Sequence, residues 1–168
     1  MKRIFALTLS LLLIFALAAC GGEKGDNSSL IEPGDDATLA EILEYDFQMR
    51  VSDGETGLTA LAEGLLDNDA INFDGVTMPV EPGLLMGFGN TEITGFDEGV
   101  QFGPLISTTP FIGYLFHLDG SVDDDDFMET LEANADLRWN ICTSADEMVS
   151  SEKSDIVLFV MAPLHAGE

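Results

Sequence analysis

The chain has 168 residues, with 31 Asp and Glu against six Lys and Arg, and its formal net charge is −25 at pH 7. Binding to nucleic-acid phosphates requires clustered Lys and Arg, so this charge argues against a nucleic-acid partner. The length suffices for one domain with a real hydrophobic core. With only two cysteines, the fold must depend on that core rather than on a disulfide framework.

The N-terminal segment has the layout of a secretory signal peptide. Lys2 and Arg3 are followed by the uncharged run IFALTLSLLLIFAL and then by small residues before Cys20. This run is shorter than the ~20 residues that span a bilayer, and no later segment approaches that length without charge. Residues 1–19 are therefore predicted to be an export signal rather than part of the fold.

The motif Leu17-Ala18-Ala19-Cys20 resembles the lipobox of bacterial lipoproteins, with leucine three residues before the cysteine and small residues between them. The resemblance implies that Cys20 receives a diacylglyceryl thioether and that cleavage follows Ala19. It also implies a lipid anchor in the cell membrane, with the protein on the extracytoplasmic face. The alternative is an ordinary signal peptide with a chance cysteine.

Three further segments are similar to small lipoproteins of Gram-positive gut-type bacteria, for which no activity is established. These segments are GFGNTEITGFDEGVQFGPLI, PFIGYLFHLDG and ADLRWNICTSADEMV. The resemblance implies an acidic tether and a domain that ends in a strand-helix-hairpin unit. It implies no catalytic residue.

After the signal peptide, the composition indicates a tether followed by one domain. Residues 20–36 contain the cysteine to be lipidated and a Gly-, Ser- and Asp-rich stretch that predicts a flexible tether, and residues 37–168 are predicted to form a single acidic domain. The mature chain keeps four cations against 31 carboxylates, a formal charge of −27. This charge favours solubility over specific cation capture and repels the domain from anionic lipid headgroups.

The first half of the domain is read from its hydrophobic periodicity. Residues 38–44 predict a short helix and residues 45–51 a half-buried strand, although a helix over 38–50 is the alternative. Apolar residues at helical spacing predict an amphipathic helix over Leu58–Leu66. Residues 67–104 are rich in glycine and proline, so regular elements there are expected to be short.

The second half carries clearer signals. The run FIGYLFHL predicts a strand buried on both faces, and Asp123 is expected to cap a helix whose first turn holds the acidic residues 124–126. Residues 146–151 and 156–161 predict a hairpin. The fold class expected is α+β: an antiparallel or mixed sheet with helices packed on one face and a C-terminal β-α-β-β unit.

Several weak motifs are better interpreted as ordinary structure. Asn72, Asp74, Gly75 and Glu81 match part of an EF-hand loop, but Ala70 stands where its first ligand belongs. Consecutive acidic residues at a helix start diverge by ~100° each and do not converge on one ion. The Gly87-Phe88-Gly89 stretch lacks the third glycine of a dinucleotide loop. The sequence thus predicts no metal site and no cofactor.

Two pairs of residues remain as candidates for chemistry or binding. Cys142 with His117 as a base would form a nucleophilic dyad, but a buried, unreactive Cys142 is the preferred interpretation. Arg138 and Trp139 place a rare cation beside the only tryptophan, which suits contact with an anionic ligand. Pairing of Arg138 with nearby carboxylates is the preferred alternative.

Taken together, these patterns predict a lipid-anchored extracytoplasmic protein that acts as a non-enzymatic binding or interaction module of the cell envelope. No residue is assigned a catalytic role, and the expected partners are the membrane through Cys20 and an envelope protein or small ligand. A weak divalent-cation binder and, after it, a cysteine-dependent envelope enzyme are the alternatives.

Overall fold

The structure is a computed structural model that describes residues 32–106 and 108–165. In chain order its elements are α1 (Leu39–Ser52), α2 (Leu58–Leu66), β1 (Gly75–Val80), β2 (Gly83–Leu84), β3 (Glu92–Ile93), β4 (Phe96–Pro104), β5 (Ile112–Leu118), α3 (Asp124–Asn134), β6 (Glu147–Lys153) and β7 (Ile156–Ala162). Across the described ranges, no helix combines the length and apolar character needed to cross a membrane. The predicted signal peptide, the lipobox-like motif and residues 20–31 of the predicted tether lie outside the described residues.

A five-stranded sheet in the order β1-β4-β5-β7-β6 organises the domain, and every neighbouring pair in it is antiparallel. The short strands β2 and β3 form a separate two-stranded sheet. The α+β class is therefore confirmed, with an antiparallel rather than a mixed sheet. The C-terminal unit β5-α3-β6-β7 is confirmed as well.

Helices cover both faces of this sheet, so the expectation that they pack on one face is wrong. The helices α1 and α2 pack on the face that carries Leu115, Leu158 and Val160. The opposite face is covered by α3, through Phe127 and Leu131. Because β5 and β7 are the apolar central strands, their alternate side chains point to opposite faces and both faces require cover.

The first helix is longer than the preferred sequence interpretation, which placed a strand over residues 45–51. That strand is wrong and the helical alternative is right, because α1 continues to Ser52. A capping box between Thr38 and Glu41 starts the helix. Leu43, Phe47 and Val51 are buried, and so is Gln48 next to Phe47. Met49 is exposed, although a strand would place it on the same face as Phe47 and Val51.

The other sequence-predicted elements of the second half are present. Strand β5 is buried along its length except at His117. Helix α3 starts at the cap Asp123, whose side chain accepts a hydrogen bond from the Asp125 amide. The β6–β7 hairpin turns through Ser154 and Asp155, whose φ values of 55° and 65° match the type I′ turn that follows the twist of a hairpin.

The middle third was expected to hold only short elements, and β4 departs from that expectation with nine residues. Gly99 of β4 allows close packing, because a Cβ atom there would lie 2.8 Å from the side chains of both Phe96 and Val80. The same close packing occurs on β5 at Gly113, where a Cβ atom would lie 2.2 Å from the Phe102 ring. A larger side chain at Gly113 would therefore displace a buried ring of β4.

Candidate functional site

An open apolar cleft lies on the sheet face that α3 only partly covers. Helix α3 packs against β6 and β7 and contacts β4 at Phe96, whose ring lies against Phe127. This leaves β1 and residues 101–104 of β4 without a helix on this face. The cleft has a volume of about 650 Å³. Its lining residues are Val76, Met78, Met86, Gln101, Gly103, Pro104, Leu105, Thr109, Phe111, Ile112, Trp139, Asn140, Ile141 and Cys142.

The floor of the cleft follows from strand alternation. Val76 and Met78 on β1 point to the same face because successive side chains of a strand alternate. Opposite them, Gly103 pairs with Val76 and Gln101 pairs with Met78. The missing side chain at Gly103 leaves open space between these strands and the loop that carries Trp139.

One side of the cleft is held in place by a buried tyrosine. The Tyr114 hydroxyl lies within donating distance of two acceptors, the backbone carbonyl of Met86 at 2.8 Å and Oε1 of Gln101 at 3.0 Å. Burial raises the pKa of Tyr114 well above its ordinary value, so the hydroxyl remains a donor even at alkaline pH. The Gln101 amide is thereby oriented, and it places a polar group among apolar lining residues.

Several lining side chains are exposed although they are large and apolar. The exposed fractions are 47% for Met78, 58% for Met86, 63% for Leu105 and 97% for Ile141. Contiguous exposed apolar surface of this kind marks interaction or ligand sites more often than it serves stability. The cleft is therefore the candidate functional site of the described domain.

The candidate pair Arg138 and Trp139 is divided by the structure. Trp139 lines the cleft and packs against the core on the α3 side. Arg138 is exposed and is not among the lining residues. Within the described ranges its guanidinium makes no ion pair, so its pairing with carboxylates stays a prediction. The Arg138 backbone amide donates to Asp136.

Cys142 and His117 do not form a dyad. The Cys142 thiol is free and exposed at the cleft, so the expectation of a buried cysteine is wrong. Nδ1 of His117 lies 2.9 Å from Oδ1 of Asp97. Because His117 is five residues along β5 from Ile112, which lines the cleft, it lies about 17 Å farther along the strand.

The remaining weak motifs are structural in the described residues. Gly75 begins strand β1, so Asp74 and Glu81 lie at opposite ends of an extended segment and cannot surround one ion. Phe88, between its two glycines, is a buried core residue. In the described part of the chain, no group of three or more His, Cys, Asp or Glu side chains is placed to hold a metal ion.

Sequence reasoning missed most of the cleft. Met78, Met86 and Gln101 lie in the segment whose elements were not predicted individually. The alternation from Val76 to Val80 was the available signal, but Pro79 obscures it because proline is confined to edge strands.

Comparison with known proteins adds no relative: no protein-family model, curated protein or solved structure matches this chain.

Proposed function

We propose that this protein is a lipid-anchored extracytoplasmic lipoprotein whose domain is a non-enzymatic binding module. Its ligand is a mainly apolar, non-anionic molecule or peptide segment that enters the cleft between β1, β4 and the Trp139 loop. The open apolar cleft is the observation that carries the binding proposal. The signal peptide and the lipobox at Cys20 support the anchor.

The chemistry of the cleft defines the ligand class. Apolar side chains supply most of the lining, and transfer of apolar surface from water drives binding to such a site. The Gln101 amide supplies one polar contact that would orient a ligand carbonyl, amide or hydroxyl group. An anionic ligand is disfavoured because the chain carries 31 carboxylates and only six Lys and Arg.

Binding is tested by titrating the chain 20–168 with Nile red, an uncharged dye whose emission shifts in apolar surroundings. Met78→Glu places a charge in the cleft and is expected to weaken binding at least tenfold. The matched control is Met49→Glu, since Met49 is 37% exposed on α1, on the other sheet face. Equal affinities for the two variants would contradict binding in the cleft.

Anchoring is tested separately by membrane fractionation of a bacterial host that expresses the full chain. Cys20→Ala is expected to release the protein from the membrane fraction, and the wild type should carry the mass of a diacylglyceryl group on Cys20. Cys142→Ala removes the other cysteine and is expected to leave the protein in the membrane. Retention of the Cys20→Ala variant would contradict the lipid anchor.

The non-enzymatic part of the proposal has its own test. A hydrolytic or transfer activity of the purified domain that disappears after one substitution would overturn it. Reaction of the exposed Cys142 thiol with thiol reagents is expected from its position and does not by itself indicate catalysis.

A further inference from the structure

Three aliphatic side chains, Leu105, Ile106 and Ile141, form an exposed group that we name the apical cluster. Their exposed fractions are 63%, 93% and 97%. They lie on the β4–β5 and α3–β6 connections, which are joined by a 2.9 Å hydrogen bond from the Thr143 hydroxyl to the Thr108 carbonyl. Isoleucines that are almost fully exposed on two linked loops contribute no core packing. Contact with an external partner explains why apolar side chains occupy these positions.

The apical cluster is at the same end of the sheet as the N-terminal entry of the chain. Strand β4 ends at Pro104 and β5 begins at Ile112, which pairs with Met161 near the end of β7. At this end the Leu39 amide, in the first turn of α1, donates to the Leu164 carbonyl at 2.9 Å. The chain that precedes α1 therefore enters the domain beside the apical cluster.

The chain between the domain and Cys20, the proposed site of lipid attachment, is short. Eleven residues, 21–31, separate Cys20 from the first described residue, Glu32. Fully extended, the twelve Cα-to-Cα steps from Cys20 to Glu32 span only about 40 Å, comparable to the dimensions of a small domain. A lipid on Cys20 therefore holds this end of the domain near the bilayer at a high effective concentration.

We infer that the apical cluster is a membrane-contact surface that inserts shallowly into the lipid bilayer; the inference rests on the anchor in the proposed function. Shallow insertion removes the exposed isoleucine side chains from water, as for other interfacial apolar groups. Trp139, two residues before Ile141, belongs to the residue type that favours the membrane interface. Acidic residues at the same end, including Asp74, Asp146 and Glu147, favour zwitterionic over anionic lipid.

The test couples the chain 20–168 to vesicles through Cys20, so that its result does not depend on natural lipidation. Cys142→Ser leaves Cys20 as the only thiol, which is attached to a maleimide-headgroup lipid in phosphatidylcholine vesicles. Brominated acyl chains then quench the emission of Trp139, the only tryptophan, when it approaches the hydrocarbon. We expect quenching at least twofold greater than for the same protein free in solution with these vesicles.

Variants separate insertion of the apical cluster from quenching that tethering alone would cause. Ile106→Ser with Ile141→Ser is expected to abolish the additional quenching, whereas Leu84→Ser, a 65% exposed leucine in the short β2–β3 sheet, should leave it unchanged. Ile141→Trp should increase total quenching. With phosphatidylglycerol present, 0.5 M salt should strengthen the contact, because salt screens repulsion from the acidic domain.

Two outcomes would overturn the inference. One is quenching of the tethered protein that the double substitution does not reduce. The other is self-association in solution that depends on Ile106 and Ile141, detected by sedimentation, which would assign the cluster to a second copy of the chain. Loss of natural lipidation alone would instead contradict the anchor and leave the contact measured in coupled vesicles intact.

Discussion

Gly103→Leu is expected to weaken ligand binding while leaving the domain at least as stable as the wild type. The glycine lines the cleft, and an added Cβ would meet its closest neighbour, the Phe111 carbonyl oxygen, at 3.4 Å. This is ordinary contact, so the strand can accept a side chain there. The remaining atoms of the leucine would extend into the space between β1, β4 and the Trp139 loop.

The substitution is expected to raise the free energy of unfolding slightly and to weaken ligand binding by a larger amount. Loss of glycine reduces the entropy of the unfolded chain, which contributes about 0.4–1 kcal/mol of stability at a compatible position. A leucine that displaces two to three CH₂ groups of ligand contact, at ~0.8 kcal/mol each, costs about 2 kcal/mol of binding. That loss corresponds to roughly a 30-fold weaker affinity for Nile red.

Dye titration and urea unfolding measure the two effects on the same samples. Thr77→Leu is the matched control, because Thr77 is on β1 between Val76 and Met78 and its side chain points to the opposite face of the sheet. This control should bind Nile red like the wild type. Unchanged affinity of a folded Gly103→Leu protein would refute the assignment of the cleft as the binding site. A stability loss above about 2 kcal/mol, typical of overpacking, would refute the claim that the strand can accept a leucine at this position.

Three further substitutions test the packing that forms the cleft and the core. Tyr114→Phe removes a hydrogen bond to Met86 and should lower the free energy of unfolding by about 1 kcal/mol. Because burial raises the Tyr114 pKa from 10.0, the stability that this group contributes to the wild type is complete below pH 10 and decreases above it. Urea titrations at alkaline pH should therefore show a smaller decrease in stability for the variant than for the wild type. Phe127→Ala empties a site that is 2% exposed beneath α3 and should cost about 3–5 kcal/mol; a cost below 1 kcal/mol, measured by urea unfolding, would show that α3 does not depend on this contact. Gly113→Ala brings a Cβ within 2.2 Å of the Phe102 ring and should lower the melting temperature by an amount equivalent to about 1–3 kcal/mol; an unchanged melting temperature would contradict the close approach.

Local signals in the sequence predicted helix α2 and much of the second half of the domain. The helical spacing in residues 58–66, the apolar run of β5, the Asp123 cap and the hairpin before residue 162 each depend on neighbours within about ten positions. The residue types at such positions determine caps, turns and periodicity directly. The membrane location proposed for the protein likewise depends on a contiguous motif that ends at Cys20, and this location stays a prediction.

Tertiary structure decided what local patterns left ambiguous. Residues 45–51 satisfy a strand period and a helix period at once. Burial of Phe47 and Val51 with exposure of Met49 between them fits the helix, because a strand would place all three on one face. Likewise, α3 packs on the face opposite α1 because both faces of β5 and β7 are apolar and both must be covered.

The cleft could not be read from the sequence because its lining comes from segments far apart in the chain. Met78, Gln101 and Trp139 meet only after β1 pairs with β4 and the loop after α3 folds back across the sheet. The same long-range placement exposes Cys142 and separates it from His117. The sequence by itself determined the central apolar strands and the local helix signals, whereas the open sheet edge that forms the candidate site exists only through contacts between distant residues.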